Sequence, residues 1–217
     1  MRVTEHSLAS LPWRRGLATG CCALIAIKAR AQCKTRLERH LGVPQRIALA
    51  RRMLAMVIAA ARSAHNVAQV FVLSPERDLV PDEVPVLADT GLGLNQALSQ
   101  AQRALLAIGC RELVVLPADM PTVTGAEIDR LVRGGRRGGF AIAPDLAQRG
   151  TNALCLATSQ AFQFRFGVGS RQQHLLEARR LGLRPAIVSA PGLAFDIDTF
   201  ADLLRWDDTA CVIQRQA

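Results

Sequence analysis

The sequence predicts an α/β protein of three layers, with helices over both faces of a mostly parallel sheet. Three observations point there. From residue 21 to 210, short apolar runs alternate with longer segments of helical period, the pattern of strand–helix–strand units. The clearest run, "LVVL" (Leu113–Leu116), is apolar throughout, which fits a strand covered on both faces. Residues capable of chemistry fall directly after these runs, at the carboxyl edge where such sheets bind ligands.

The first strand is expected at Cys22–Ile27, opening into a loop with Lys28, Arg30, Lys34 and Arg36 and no glycine. Pro44 suits a first helical turn. Ile47, Ala50, Leu54, Val57 and Ala61 then recur at three- and four-residue steps, which predicts a helix. "AQVFVLS" (Ala68–Ser74) and "VPVLAD" (Val84–Asp89) read as strands. "GLGLNQALSQAQRALLAIG" reads as a loop running into a helix that stops at Gly109. The buried strand Leu113–Leu116 ends at Pro117, and a helix from Thr124 to Val132 gives way to a turn in "RGGRRGG". Strands follow at Phe140–Ala143 and Ala153–Leu156, then the loop "FRFGVGS", the helix "RQQHLLEARRLG" and a last strand, Ala186–Ser189. "DTFADLL" looks like a further helix start.

The 217 residues suit one domain, expected over 21–210, behind a loose tail of residues 1–20. That tail lacks the apolar core of about 7–15 residues that a secretory signal needs. No apolar run reaches the roughly 20 residues of a membrane helix, so no membrane partner is expected. A net charge of +9 favours anionic partners. The arginines are dispersed, aromatic residues make up 4% and tyrosine is absent, so a nucleic-acid-binding protein is a remote alternative and no nucleic-acid partner is expected. The six cysteines form no C-x-x-C pair and the four histidines stand apart from them. Reduced, buried thiols in a cytoplasmic protein are expected rather than a zinc site.

Beyond the strands stand Lys28, Lys34 and Arg36, then "DTGLGLN" with Gly91, Gly93 and Asn95, then "PADMP" with Asp119. "RGTN" with Thr151, "FGVGS" with Gly167 and Ser170, and "DIDT" with Asp196 and Asp198 complete the set. The aspartates supply hard oxygen donors of the kind magnesium prefers; the alternatives are helix capping for Asp196 and Asp198 and a turn for Asp119. The "FGVGS" loop before a helix offers backbone N–H groups and a hydroxyl to a phosphate or carboxylate. Asn95 could read a base edge or a ribose. His174, one turn into that helix, is expected to be structural or surface-facing.

Taken together, "IKARAQCKTRL", "DTGLGLNQAL", "VLPADMP", "RGTNAL", "FGVGS" and "PGLAFDIDTFADL" resemble the CofC/FbiD guanylyltransferases of coenzyme F(420) biosynthesis, from about Ala23 to Trp206. The resemblance implies a Rossmann-like fold of the nucleotide-diphospho-sugar transferase type. It implies transfer of GMP from GTP to a phosphorylated three-carbon acid (2-phospho-L-lactate, phosphoenolpyruvate or 3-phospho-D-glycerate) with release of pyrophosphate. It implies magnesium on Asp119, Asp196 and Asp198, with Lys28, Lys34, Arg36 and Asp119 as the catalytic set. Thr151, Gly167 and Ser170 match the positions that hold the acid; Gly91, Gly93 and Asn95 match the guanosine side. A homodimer is compatible with it. A related nucleotidyltransferase using another NTP, or a molybdopterin or sugar-phosphate acceptor, is the alternative. Two departures stand out: the basic loop lacks the glycines of broader nucleotidyltransferases, and Val168 stands where proline is expected in many relatives.

Overall fold

A computed structural model describes residues 20–89 and 91–206. The expected tail (apart from Gly20), Thr90, Cys211 and the expected domain end at 210 lie outside the described residues. Strands β1 (Cys21–Ala26), β2 (Val67–Ser74), β3 (Val86–Ala88), β4 (Glu112–Pro117), β5 (Gly139–Pro144), β6 (Thr151–Ala157) and β7 (Arg184–Ile187) form one sheet. Their order is β3-β2-β1-β4-β6-β5-β7. β6 alone runs antiparallel to its neighbours β4 and β5; the other pairings are parallel.

Helices α1 (Val43–Ser63), α2 (Leu94–Ala107), α3 (Gly125–Gly138), α4 (Ser170–Arg180) and the short α5 (Pro191–Ala194) cover the sheet, and residues 200–206 are helical. Alternation along the strands feeds two cores. Cys21, Ala23 and Ile25 of β1, with Val114 and Leu116 of β4, pack with Leu54 and Val57 of α1 and Ile128 and Leu131 of α3. Cys22 and Leu24, with Leu113 and Val115, pack instead with Leu98 and Leu105 of α2 and Ala178 of α4. Both sets are buried, so successive positions through the middle of β1 and β4 had to be apolar. That is the physical reason "LVVL" shows no alternation.

The helix starts follow local chemistry. The Gly42 N–H donates to Gln45 Oε1 at 2.8 Å ahead of Pro44 in the first turn of α1. Thr124 and Glu127 form a reciprocal capping box on α3.

Two expectations are corrected. "RGGRRGG" is not a turn: α3 continues through Gly138 and stops at Gly139, which adopts a left-handed φ of 84°. Its glycines serve close packing, since a Cβ on Gly135 would stand 2.9 Å from Cys155 Sγ. The last strand begins earlier, at Arg184, because β7 pairs in parallel with β5 from Gly139↔Arg184 onward.

The chain reverses its build direction at β1, with β2 on one side and β4 on the other. A crevice opens at the carboxyl ends of strands at such a switch point.

Candidate active site

At that point lies a cleft of about 480 Å³. Lys28, Lys34 and Arg36 after β1, Asp89, Gly91 and Gly93 after β3, Asp119 after β4, and Asp198 all line it. Asn95, Thr151, Gly167, Ser170 and Asp196 are not among the lining residues.

The basic loop is built from short 3₁₀ turns at Arg30–Gln32 and Thr35–Leu37. Between them Lys34 takes a left-handed backbone, φ 50° and ψ 41°, an unusual state for a residue with a Cβ. Two contacts pin the loop. Cys33 donates its thiol hydrogen to the Lys28 carbonyl at 3.3 Å, and its own carbonyl accepts from Arg46 Nη1 at 3.0 Å. Cys33 thus gains a structural job that its neighbours in sequence did not suggest, and Arg46 is a supporting residue that sequence reading missed. Arg30 pairs with Glu76 and Asp78, which engages its charge outside the carboxylate cluster of the cleft.

The held backbone aims Lys34 at carboxylates. Its Nζ donates to Asp119 Oδ2 at 2.6 Å, to Asp198 Oδ1 at 3.3 Å, and to the Ile197 carbonyl. Burial works against the ammonium, but Asp119 and then Asp198 outweigh it and hold the lysine above its ordinary range. Arg36, mostly exposed, donates to Asp198 Oδ2 at 2.7 Å. The Ile197 N–H donates to the Asp119 carbonyl at 3.1 Å, which fastens the segment carrying Asp196 and Asp198 beside the end of β4.

The three aspartates divide. Asp119 and Asp198 face the cleft, whereas Asp196 accepts from Asn152 Nδ2 at 3.2 Å. Burial, then the charges of Asp119 and Asp198, push its carboxyl up to about 6. Among the described residues no group of three or more His, Cys, Asp or Glu is placed to hold a metal ion. A cation nevertheless already bridges the oxygens of Asp119 and Asp198, namely the Lys34 ammonium. That donor pair fits magnesium, which takes one or two carboxylates and completes its shell with phosphates and water.

On the other side of the cleft, Asp89 Oδ1 accepts from the Gly91 N–H at 2.9 Å. Gly91 and Gly93 have φ of 79° and 94°, values that favour glycine. Asn95 spends its side-chain amide on a backbone partner. Its Nδ2 donates to the Phe166 carbonyl at 3.1 Å and its Oδ1 accepts from the Phe166 N–H at 2.7 Å. It ties the glycine loop before α2 to the "FGVGS" loop before α4.

Because β6 runs antiparallel, its first residues, Thr151 and Asn152, stand at the same edge as the ends of β1 and β4. Asn152, which carries Asp196, is a second residue that sequence reading left unassigned. Gly167 and Gly169 have φ of 137° and 69°, and Ser170 opens α4, buried. His174 is fully buried, so the surface-facing option for it is overturned.

An open sheet of this order, with cations and carboxylates facing each other at its switch point, is that of an α/β nucleotidyltransferase. A solved nucleotidyl transferase from Methanothermobacter thermautotrophicus shares the fold, with TM-score 0.63 at 18% identity over 88% of this chain and 97% of that one. A family model described as "Guanylyl transferase CofC like" matches residues 21–206. The chain belongs to that family. Two relatives named phosphoenolpyruvate guanylyltransferase are 37% identical (Rubrobacter xylanophilus, 89% of this chain and 96% of the relative) and 35% identical (Sphaerobacter thermophilus, 83% and 89%). A third, named 2-phospho-L-lactate guanylyltransferase, from Methanothermobacter thermautotrophicus, is 32% identical over 84% of this chain and 82% of its own length.

Proposed function

We propose that this nucleotidyltransferase transfers GMP from GTP to a phosphorylated three-carbon acid, a step of coenzyme F(420) biosynthesis. The observation that carries the reading is the Lys34–Asp119–Asp198 cluster at the switch-point cleft, in a chain of the guanylyltransferase family. The relatives' printed substrates, phosphoenolpyruvate and 2-phospho-L-lactate, are both phosphorylated three-carbon acids.

A phosphate oxygen of the acid attacks the α-phosphorus of GTP. The new P–O bond forms as the bond to the β-phosphate oxygen breaks, and pyrophosphate leaves. The attacking oxygen is already ionised at neutral pH, so no side chain has to take a proton from it. The work left is to hold two anions together and to neutralise growing charge. Lys28 and Arg36 at the mouth of the cleft serve the departing pyrophosphate. Lys34 holds the acidic side in place and adds a fixed positive charge. Gly91 and Gly93 let the backbone come close to the nucleoside. Thr151, Gly167 and Ser170 hold the acid across the β6–α4 edge. Magnesium on Asp119 and Asp198, with Asp196 behind them, supplies Lewis-acid charge neutralisation when bound. Among the described residues no helix is long and apolar enough to cross a membrane. The free, buried thiols Cys21, Cys22, Cys33, Cys110 and Cys155 suit a reducing cytoplasm.

The test is product analysis with GTP, magnesium and phosphoenolpyruvate, 3-phospho-D-glycerate and 2-phospho-L-lactate in competition. Pyrophosphate release that requires one of the acids, with the matching guanosine diphospho-acid in the mass spectrum, is expected. Folded protein that turns over none of the three overturns the reading. Turnover with another NTP or a sugar phosphate alone would move the chain to the alternative acceptor class.

A further inference from the structure

His174 is a buried titratable group that this chemistry leaves unused. His174 lies on α4 among Phe162 and Phe166, with ring centroids 5.8 and 4.8 Å away. Both of its nitrogens are engaged. The Arg165 backbone N–H points at Nε2 at 2.8 Å, and a backbone N–H can only donate, so Nε2 carries no hydrogen. In a neutral ring the hydrogen is then on Nδ1. Nδ1 stands 2.9 Å from Thr151 Oγ1, so His174 donates and the hydroxyl accepts. Burial supports the neutral state, pulling the imidazole down to about 4.

A hydroxyl has one hydrogen and two lone pairs. With His174 using a lone pair, the hydrogen of Thr151 is left for another acceptor, and none among the described residues takes it. We infer that His174 is a positioning residue: by donating to Thr151 it fixes that hydroxyl as a hydrogen-bond donor to an oxygen of the anionic acceptor substrate. This rests on the reading that Thr151 holds the phosphorylated acid. The Arg165 N–H, through its bond to Nε2, is what sets the direction of the relay. The segment 162–166 therefore acts on the acceptor side through His174.

Two substitutions separate the two bonds of His174. H174Q puts an acceptor near the Nε2 position and keeps the Arg165 contact but loses the donor to Thr151. H174N puts an N–H near the Nδ1 position and keeps the donor but loses the Arg165 contact. Each variant removes one buried hydrogen bond, so structural damage is matched. H174Q is expected to raise KM for the acid about tenfold, the worth of one oriented hydrogen bond, with KM for GTP unchanged. H174N is expected to restore most of that loss. In a T151V background, H174Q should add nothing further. Equal effects of H174Q and H174N, or additive effects of H174Q and T151V, overturn the inference. Long-range 1H–15N spectra of the unmutated protein provide a readout independent of variant folding: a hydrogen on Nε2 rather than Nδ1 overturns it. If T151V leaves KM for the acid unchanged, the assignment of Thr151 fails, and the inference with it. If the unmutated protein turns over no acid, the proposed function itself fails. Normal turnover and a strong T151V effect beside a silent H174Q sink the histidine inference alone.

Discussion

At the scale of single residues, Asp119 carries the sharpest expectation. Its carboxylate faces Lys34 across 2.6 Å at the end of β4 and lines the cleft. Asp119→Asn keeps an oxygen for that lysine but removes the charge. Turnover is expected to fall about 100-fold or more, as for loss of a transition-state charge contact, while the thermal midpoint moves little. Steady-state pyrophosphate release and a melting curve on the same sample check both halves; near-normal turnover would withdraw Asp119 from the charge-handling set. Lys34, Asp119 and Asp198 meet at one cleft; in the sequence they stand beyond the carboxyl ends of apolar strands or in "DIDT", where a charge has no packing role. Asn95, Arg46 and His174 give no such signal. Their tasks are bonds to backbone atoms at Phe166, Cys33 and Arg165, and such partners leave no mark in residue spacing.

At the scale of elements, α3 shows how a compositional signal can be overridden. Glycine and arginine in "RGGRRGG" read as a turn because glycine lowers helix stability by about 1 kcal/mol relative to alanine. The helix forms anyway: Thr124 and Glu127 cap its start, and Gly134 and Gly135 let it lie against β5, β6 and β7. Gly135→Ala therefore sets a gain in helix propensity against a Cβ 2.9 Å from Cys155 Sγ. Overpacking is expected to win, with a net loss of about 1–3 kcal/mol. Chemical denaturation should also show that Cys155→Ala, added to Gly135→Ala, recovers part of the loss. No recovery would mean that the sulfur is not what the new methyl group meets. The strands were easier to read, because two cores on one sheet demand apolar residues at successive positions. Their ends were harder, since pairing with a neighbour sets them, as β5 does for β7.

At the scale of the whole molecule, the two cores share the central strands β1 and β4. The segment 195–206 is fastened beside them by the Ile197 N–H on the Asp119 carbonyl, by the side-chain bonds of Asp196 and Asp198 and by packing of Phe195, Ile197 and Trp206 on Met53 of α1. One cooperative unit is expected. With Trp13 replaced by Phe, urea unfolding followed by Trp206 fluorescence and by far-ultraviolet circular dichroism should give coincident transitions. An earlier fluorescence transition would mean that the closing segment opens by itself, taking Asp196 and Asp198 with it.

The left-handed backbone of Lys34 puts folding and chemistry in opposition at one position. A chain selected for stability alone would place glycine there, relieving roughly 1–2 kcal/mol of backbone strain. It would also lose the ammonium that binds Asp119 and Asp198. The loop after β1 has kept a conformation that suits glycine and loaded it with a charge glycine cannot carry. Under the proposed function, relieving that strain with glycine would trade away the charge that the chemistry uses.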